Sequence, residues 1–398
     1  MIISGIICEY NPFHNGHMFQ LQETREKGAT HIIAIMSGNY VQRGEIALID
    51  KHIRAETAVK CGADLVIELP IPYSVSSAEI FSKGAVYILN QLGVVDMLSF
   101  GSECGDIELL KKAADASREV ESHVDVSQLI SKGISYPSAV ADIIKKDFGE
   151  ELYKVFSSPN NTLGIEYIKA LDFYNSNINP VTITRKAVDH DSKSSSNEFA
   201  SASMIRESIK SNIDTSAFIP KACRQAILEQ INNNRVSDIK NIENIIFYKL
   251  LSMSKDELAL IPDANNGLSD RLYTACRKAT SYNELLEMTK TKCFTLARIR
   301  RVISYALMGI TSDDINAKPQ YARILAFNNK GCEILSHIKE KSDFSVSTSL
   351  IDLSKLNKTA KRQSELDEIA SMLFSLSVND KNYRKNEFAV MVKKTSED

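Results

Sequence analysis

Four short apolar runs in the first hundred residues constrain this chain more than any other feature: IISGIIC (2–8), HIIAIMSG (31–38), DLVIELP (64–70) and DMLSFGS (96–102). None keeps a strict apolar–polar alternation, so each suits a strand covered on both faces. Between them lie stretches with helical spacing: GHMFQLQETREKG (16–28), KHIRAETAVKCG (51–62) and SAEIFSKGAVYILNQLG (77–93). Asp50 suits the N-cap of the second helix and Gly62 its end. Such alternation builds a parallel sheet with helices on both sides, and sheets of that kind bind ligands at the carboxyl ends of their strands. One rim therefore gathers the loop 11–17, SGNYVQRG (37–44) and FGSECG (100–105).

Past residue 105 the pattern turns helical and polar, and SSPNNTLGIEYIKAL (157–171) opens another helix. NPVTITRKAV (179–188) is β-branched and suits a last strand of the same sheet. The polar DHDSKSSSNEF (189–199) predicts a flexible link into ASASMIRESI (200–209). From about Pro220 helical periodicity dominates, although ARILAFNNKGCEILSHI in the tail mixes a strand-like run with a helix. The expectation is an α/β region with a Rossmann-like parallel sheet, residues 1–215, followed by a mainly α-helical region, 216–398. A chain of 398 residues is long enough for two such domains.

Composition narrows the class. Apolar residues make up 43% and charged residues 25%, the balance of a globular protein, and no run approaches the ~18 apolar residues of a membrane span. MIISGIIC lacks the basic start and cleavage site of a signal peptide. Seven cysteines, none in a CxxC pair, suit reduced thiols in cytoplasm and argue against a disulfide framework or a zinc site. With a net charge of −2, any nucleic-acid partner must meet a local basic face.

The densest chemistry sits in ICEYNPFHNGH, residues 7–17. At a strand-to-helix turn, exposed backbone N–H groups and the positive helix end attract phosphate. Gly16 allows close backbone approach, and His14 and His17, three apart, reach the same side of the first turn. Two imidazole donors on one phosphate would stabilise charge on an α-phosphoryl group as pyrophosphate leaves. The same two histidines also suit a plain capping role. A metal site lacks a third ligand at a familiar spacing.

HNGH resembles the HIGH motif of the nucleotidylyl transferase superfamily, and SASMIR (201–206) resembles its distal S-x-T-x-x-R loop, with Ser203 where the Thr stands. EYNPFHNGH, MSGNYVQRGE, ADLVIELP, SFGSE, PNNTLGIEY and FASASMIR together resemble successive blocks of the tRNA(Met) cytidine acetate ligase family, over roughly residues 1–210. The resemblance implies a HIGH-type nucleotidylyl transferase fold and an ATP-dependent ligase. Acetate would be activated as acetyl-adenylate and its acetyl group passed to N4 of the wobble cytidine of elongator tRNA(Met). It implies His14, His17, Ser203 and Arg206 as catalytic residues, with Arg206 on the β and γ phosphates. The ATP site it implies comprises Ile7, Cys8, Glu9, Tyr10, Asn11, Pro12, Phe13, His14, Asn15, Gly16, His17, Met18, Phe19 and Gln20, together with Gly101, Asn161 and Arg185. Mg2+ is an optional companion of the nucleotide; no protein partner, membrane or resident metal is implied, and the compartment is cytoplasmic.

The residues agree with that chemistry. Adenylation makes acetate a good acyl donor without a protein nucleophile, and no nucleophile-elbow or Cys–His signature is present. Arg43, Arg185 and Arg206 suit a pyrophosphate clamp, Gly101 a close approach of adenine or ribose, and the Asn161 amide the reading of their edges. For the RNA, residues 288–312 carry Lys290, Lys292, Arg298, Arg300 and Arg301 with Phe294 and Tyr305 interleaved and no acidic residue before Ser312. Such a stripe suits phosphate contacts and a stacked base, or else a solvated helix packed on a core. Two other functions use the same motifs: a small-molecule adenylyltransferase, and a nucleotide-sensing RNA-binding protein without turnover.

Overall fold

A computed structural model describes residues 1–121, 124–131, 134–185 and 199–395. Among these, β1 (Ile3–Cys8), β2 (His31–Ser37), β3 (Leu65–Leu69), β4 (Met97–Ser102), β5 (Asn179–Thr184), β6 (Ala322–Phe327) and β7 (Val346–Ser347) form one seven-stranded sheet, ordered β5-β4-β1-β2-β3-β6-β7. The first five run parallel to one another, with Ile3 opposite His31 and Met97 opposite Asn179. The apolar runs were covered as expected. In β2, Ile32, Ile33, Ala34, Ile35 and Met36 are wholly buried. Removing one such side chain, Ile33→Ala for example, costs about 2–5 kcal/mol.

One face of the sheet packs Ile3, Ile33, Ile67 and Leu98 against the helices Ala78–Gln91 and Pro159–Phe173. The other packs Ile6, Ile32, Met36 and Val66 against the helices Asn15–Glu26, Lys51–Lys60, Ala202–Lys210 and Lys221–Asn232. Helix ends fall within about three residues of the sequence expectation, and Asp50 caps Lys51–Lys60 by accepting from His52 N–H. Residues 186–198, with most of the expected link and the end of the expected last strand, lie outside the described residues.

The C-terminal half is mainly helical, as expected, but its strand-like run has a larger part than the sequence conveyed. β6 pairs antiparallel with β3, so the sheet is mostly rather than wholly parallel. Buried backbone N–H and C=O groups need partners, and the β3 edge supplies them to β6. Arg323 on β6 is fully buried, with Nη1 2.7 Å from Glu387 and 3.1 Å from Glu68 on β3. Lys51 joins the group at 2.6 Å from Glu68 and 3.1 Å from Glu387. The expected boundary at 215/216 thus falls between segments that share one sheet and one buried charge network. Tyr40, Ile71 and Val75 likewise belong to the apolar core of the C-terminal helices.

Strand order reverses at β1: the chain proceeds to β2 and β3 on one side, and β4 and β5 lie on the other. Loops leaving β1 and β4 therefore diverge and open a crevice at the carboxyl end of the sheet.

Candidate active site

His14 ends the loop after β1 and caps the Asn15–Glu26 helix with its side chain. The Gly16 N–H donates to His14 Nδ1 at 3.0 Å, and the His14 N–H donates to His17 Nδ1 at 3.2 Å. Both Nδ1 atoms accept, so each neutral ring carries its proton on Nε2 and offers that N–H as a donor. The rings stack with centroids 3.7 Å apart and planes inclined by 23°. A side chain at residue 16 would bring a Cβ to 2.9 Å from His14 Cε1, so the glycine makes room for the capping ring itself. Capping and donation, which the sequence left as alternatives, belong to one geometry.

Tyr10 and Phe13 wall this pair, their ring centroids 4.9 and 5.5 Å from that of His17. Burial, then the charges of Arg185 and Arg206, hold His14 down to about 3. Burial, then His14 and Arg185, hold His17 well below its ordinary range. Both imidazoles are therefore neutral donors near neutral pH, suited to receiving negative charge without carrying a positive one.

Arg206 comes from the Ala202–Lys210 helix, which Ser201 caps by accepting from Met204 N–H at 3.2 Å. Its Nη1 donates to the Asn11 carbonyl at 3.0 Å, and its Nη2 lies 3.3 Å from Ser203 Oγ and 3.4 Å from Glu45 Oε2. Arg185 is exposed at the end of β5, its side chain laid over Gly101, where an added Cβ would sit 3.2 Å from Arg185 Cγ. Four expected residues from distant positions thus converge: the two histidines, Arg185 and Arg206, with Ser203 on the guanidinium of Arg206.

Other expected residues sit differently. Asn161 is buried and its amide oxygen accepts from the N–H groups of Glu103 and Cys104, at 2.8 and 3.2 Å. That oxygen fixes the loop after β4, and only the amide NH2 is left to meet an adenine or ribose edge. Tyr10, Asn11 and Phe13 have buried side chains and shape the loop from beneath. Glu9 accepts from Gln42 N–H at 3.0 Å; burial raises its carboxyl above the usual range against that hydrogen bond and the charge of Arg206. Arg43 is exposed.

The basic stripe at 288–312 is not the open face its composition suggested. Tyr305 is buried, its hydroxyl 3.0 Å from Ser76 Oγ, and cannot stack an incoming base. Arg301 pairs with Asp263 at 2.9 Å, Arg298 with the same carboxylate at 3.3 Å, and Arg300 with Glu45 at 2.7 Å. The carboxylates that pair with its three arginines lie outside the window that made them look unopposed, while Lys290 and Lys292 are exposed. Glu45 itself went unrecognised in the sequence. Its signal was there, a carboxylate closing a glycine turn (QRGE) on the expected rim.

Among the described residues no three His, Cys, Asp or Glu side chains gather to hold a metal ion, and no helix is long and apolar enough to cross a membrane.

The HIGH Nucleotidyl Transferase family model matches residues 1–388. The chain is 37% identical over 403 residues to a tRNA(Met) cytidine acetate ligase of Acetivibrio thermocellus, covering 97% of each chain. It is 38% identical over 382 residues to a protein of the same name from Clostridium perfringens, covering 92% of each. Among solved structures, Thermotoga maritima TmcAL bound with alpha-thio ATP superposes with a TM-score of 0.89 at 30% identity, over 99% of this chain and all of that one.

Proposed function

Because the chain belongs to the tRNA(Met) cytidine acetate ligase family, we propose that it activates acetate with ATP and acetylates N4 of the wobble cytidine of elongator tRNA(Met). The observation that carries the site assignment is the interlocked His14–His17 pair, two neutral Nε2–H donors at a helix N-terminus flanked by Arg185 and Arg206. In the first step an acetate oxygen attacks the α-phosphorus of ATP, acetyl-adenylate forms and pyrophosphate leaves. The histidines stabilise the charge that builds on the α-phosphoryl oxygens, and Arg206 and Arg185 hold the departing phosphates. In the second step the cytidine N4 attacks the acetyl carbonyl carbon, AMP leaves and N4 gives up a proton.

The ATP site comprises the loop and helix 7–20 with Gly101, Asn161 and Arg185, and the catalytic group is His14, His17, Ser203 and Arg206. Gly101 has no side chain to keep a base or ribose from the β4 backbone, and the Arg185 side chain that lies over it would have to move aside. A Mg2+ ion would arrive on the phosphates rather than in a protein cage. The tRNA is held by the mainly helical region 216–398 through residues other than the buried Tyr305, and the reaction belongs to the cytoplasm, where tRNA is found.

The test is pyrophosphate release with ATP, acetate and tRNA, each omitted in turn. Release that needs ATP and acetate, with AMP and acetylated RNA appearing only when tRNA is added, is the expected result. Release that proceeds without any acid, or that ends in a stable dinucleotide, contradicts the proposal.

A further inference from the structure

Glu45 stands between two arginines from distant parts of the chain. Its Oε1 accepts from Arg300 at 2.7 Å and its Oε2 lies 3.4 Å from Arg206 Nη2. The first is a short charge-assisted bond; the second is at the limit of hydrogen bonding. The carboxylate is therefore anchored on the Leu296–Met308 helix and only lent to Arg206. Its loop cannot follow Arg206 elsewhere. Gly44 has φ +73°, and a Cβ there would meet the Arg301 backbone nitrogen at 2.5 Å; Ser304 Oγ donates to the Gly44 carbonyl at 3.3 Å. Loop and helix form one body; Arg206, which donates to the Asn11 carbonyl at 3.0 Å and lies 3.3 Å from Ser203 Oγ, holds Glu45 only through the 3.4 Å contact, and that contact is the one a phosphate can replace.

We infer that Glu45 is a positioning residue, the resting counterion that receives Arg206 when no phosphate holds it and draws it back when pyrophosphate leaves. The inference rests on the proposed role of Arg206 as phosphate clamp. A bidentate phosphate outcompetes a carboxylate oxygen at 3.4 Å, so nucleotide takes Arg206 readily. After displacement Glu45 competes with bound pyrophosphate for the same guanidinium and hastens its release. Arg300 sets the strength of that competition, because it shares the carboxylate's charge. The device thereby joins the nucleotide clamp to a helix of the C-terminal region.

Opposite changes on the two sides of Glu45 test this. Glu45→Gln removes the competing charge, so pyrophosphate should inhibit ATP-dependent acetylation at severalfold lower concentration, with a lower KM for ATP. Arg300→Met leaves Glu45 wholly to Arg206, so KM for ATP should rise severalfold and pyrophosphate should inhibit less. Loss of packing alone would move both variants the same way, and that result, or no change in either, overturns the inference. Arg206→Gln separates it from its premise. Weakened ATP and pyrophosphate binding in that variant keeps the clamp role whatever Glu45 does; unaltered binding removes the clamp role itself.

Discussion

His14 and His17 are each half of the other's support, since the backbone N–H groups that they satisfy also fix their rings and their tautomers. His14→Ala or His17→Ala should therefore lower kcat by a factor corresponding to ~3 kcal/mol, the usual loss of a donor that acts on transition-state charge. Steady-state kinetics with ATP and acetate reads this, and circular dichroism checks that the fold survives. Because His14 is held down to about 3, activity should not decline through loss of an imidazolium as pH rises from 6 to 8. Stability carries a sign of its own. An unfolded chain protonates these rings near 6.5, whereas the folded one keeps His14 neutral to about pH 3. Between those values the unfolded state binds more protons, so the contribution is present above 6.5 and is lost as pH falls toward 3. A His14→Asn/His17→Asn variant should lose less stability than the parent between pH 7 and 4, measured as denaturant midpoints. At this scale the residue identities were legible and the geometry was not. HNGH announces two imidazoles on one helical turn, but nothing in four letters says that the glycine is there for the ring of His14.

The Leu296–Met308 helix shows how an element misleads when read by its own letters. Its arginines look unopposed because Asp263 and Glu45 are far away in sequence, and Tyr305 looks available because burial is decided by helices packed on it. Tyr305→Phe removes the hydrogen bond to Ser76 and should cost about 1 kcal/mol of stability. Tyr305→Ala, which also leaves a cavity, should cost about 3–5 kcal/mol. Thermal unfolding measures both, and tRNA affinity of the folded fraction should stay unchanged, where a stacking residue would lose it selectively. Strand–helix alternation in the first hundred residues was legible for the opposite reason. β1, β2 and β3 pair in sequence order while β4 returns to the other side of β1, and burial of all four on both faces leaves continuous apolar runs that can be read without their partners.

On the scale of the molecule, the sheet closes only when the C-terminal half supplies β6 beside β3 and Arg323 beneath it. Burial alone would push the Glu387 carboxyl up, yet Lys51, His52 and Arg323 hold it well below its ordinary range. Breaking such a buried group leaves an unpaired charge, so Arg323→Met should cost about 3–5 kcal/mol. A fragment of residues 1–215 should show no cooperative thermal transition by circular dichroism, because its β3 edge and the core shared through Tyr40 and Ile71 are left open. The sequence hinted at this strand in ARILAF but not at its partner, which lies some 250 residues earlier and leaves no local trace. The rim that carries the candidate site thus belongs to a sheet built from both halves of the chain, and so does the reaction proposed for it. Transfer of label from radioactive acetate to elongator tRNA(Met), with ATP present, tests that assignment most directly. Label on the N4 position of the wobble cytidine, with one AMP released for each acetyl group transferred, is the predicted result; a stable dinucleotide with no label on RNA would contradict it.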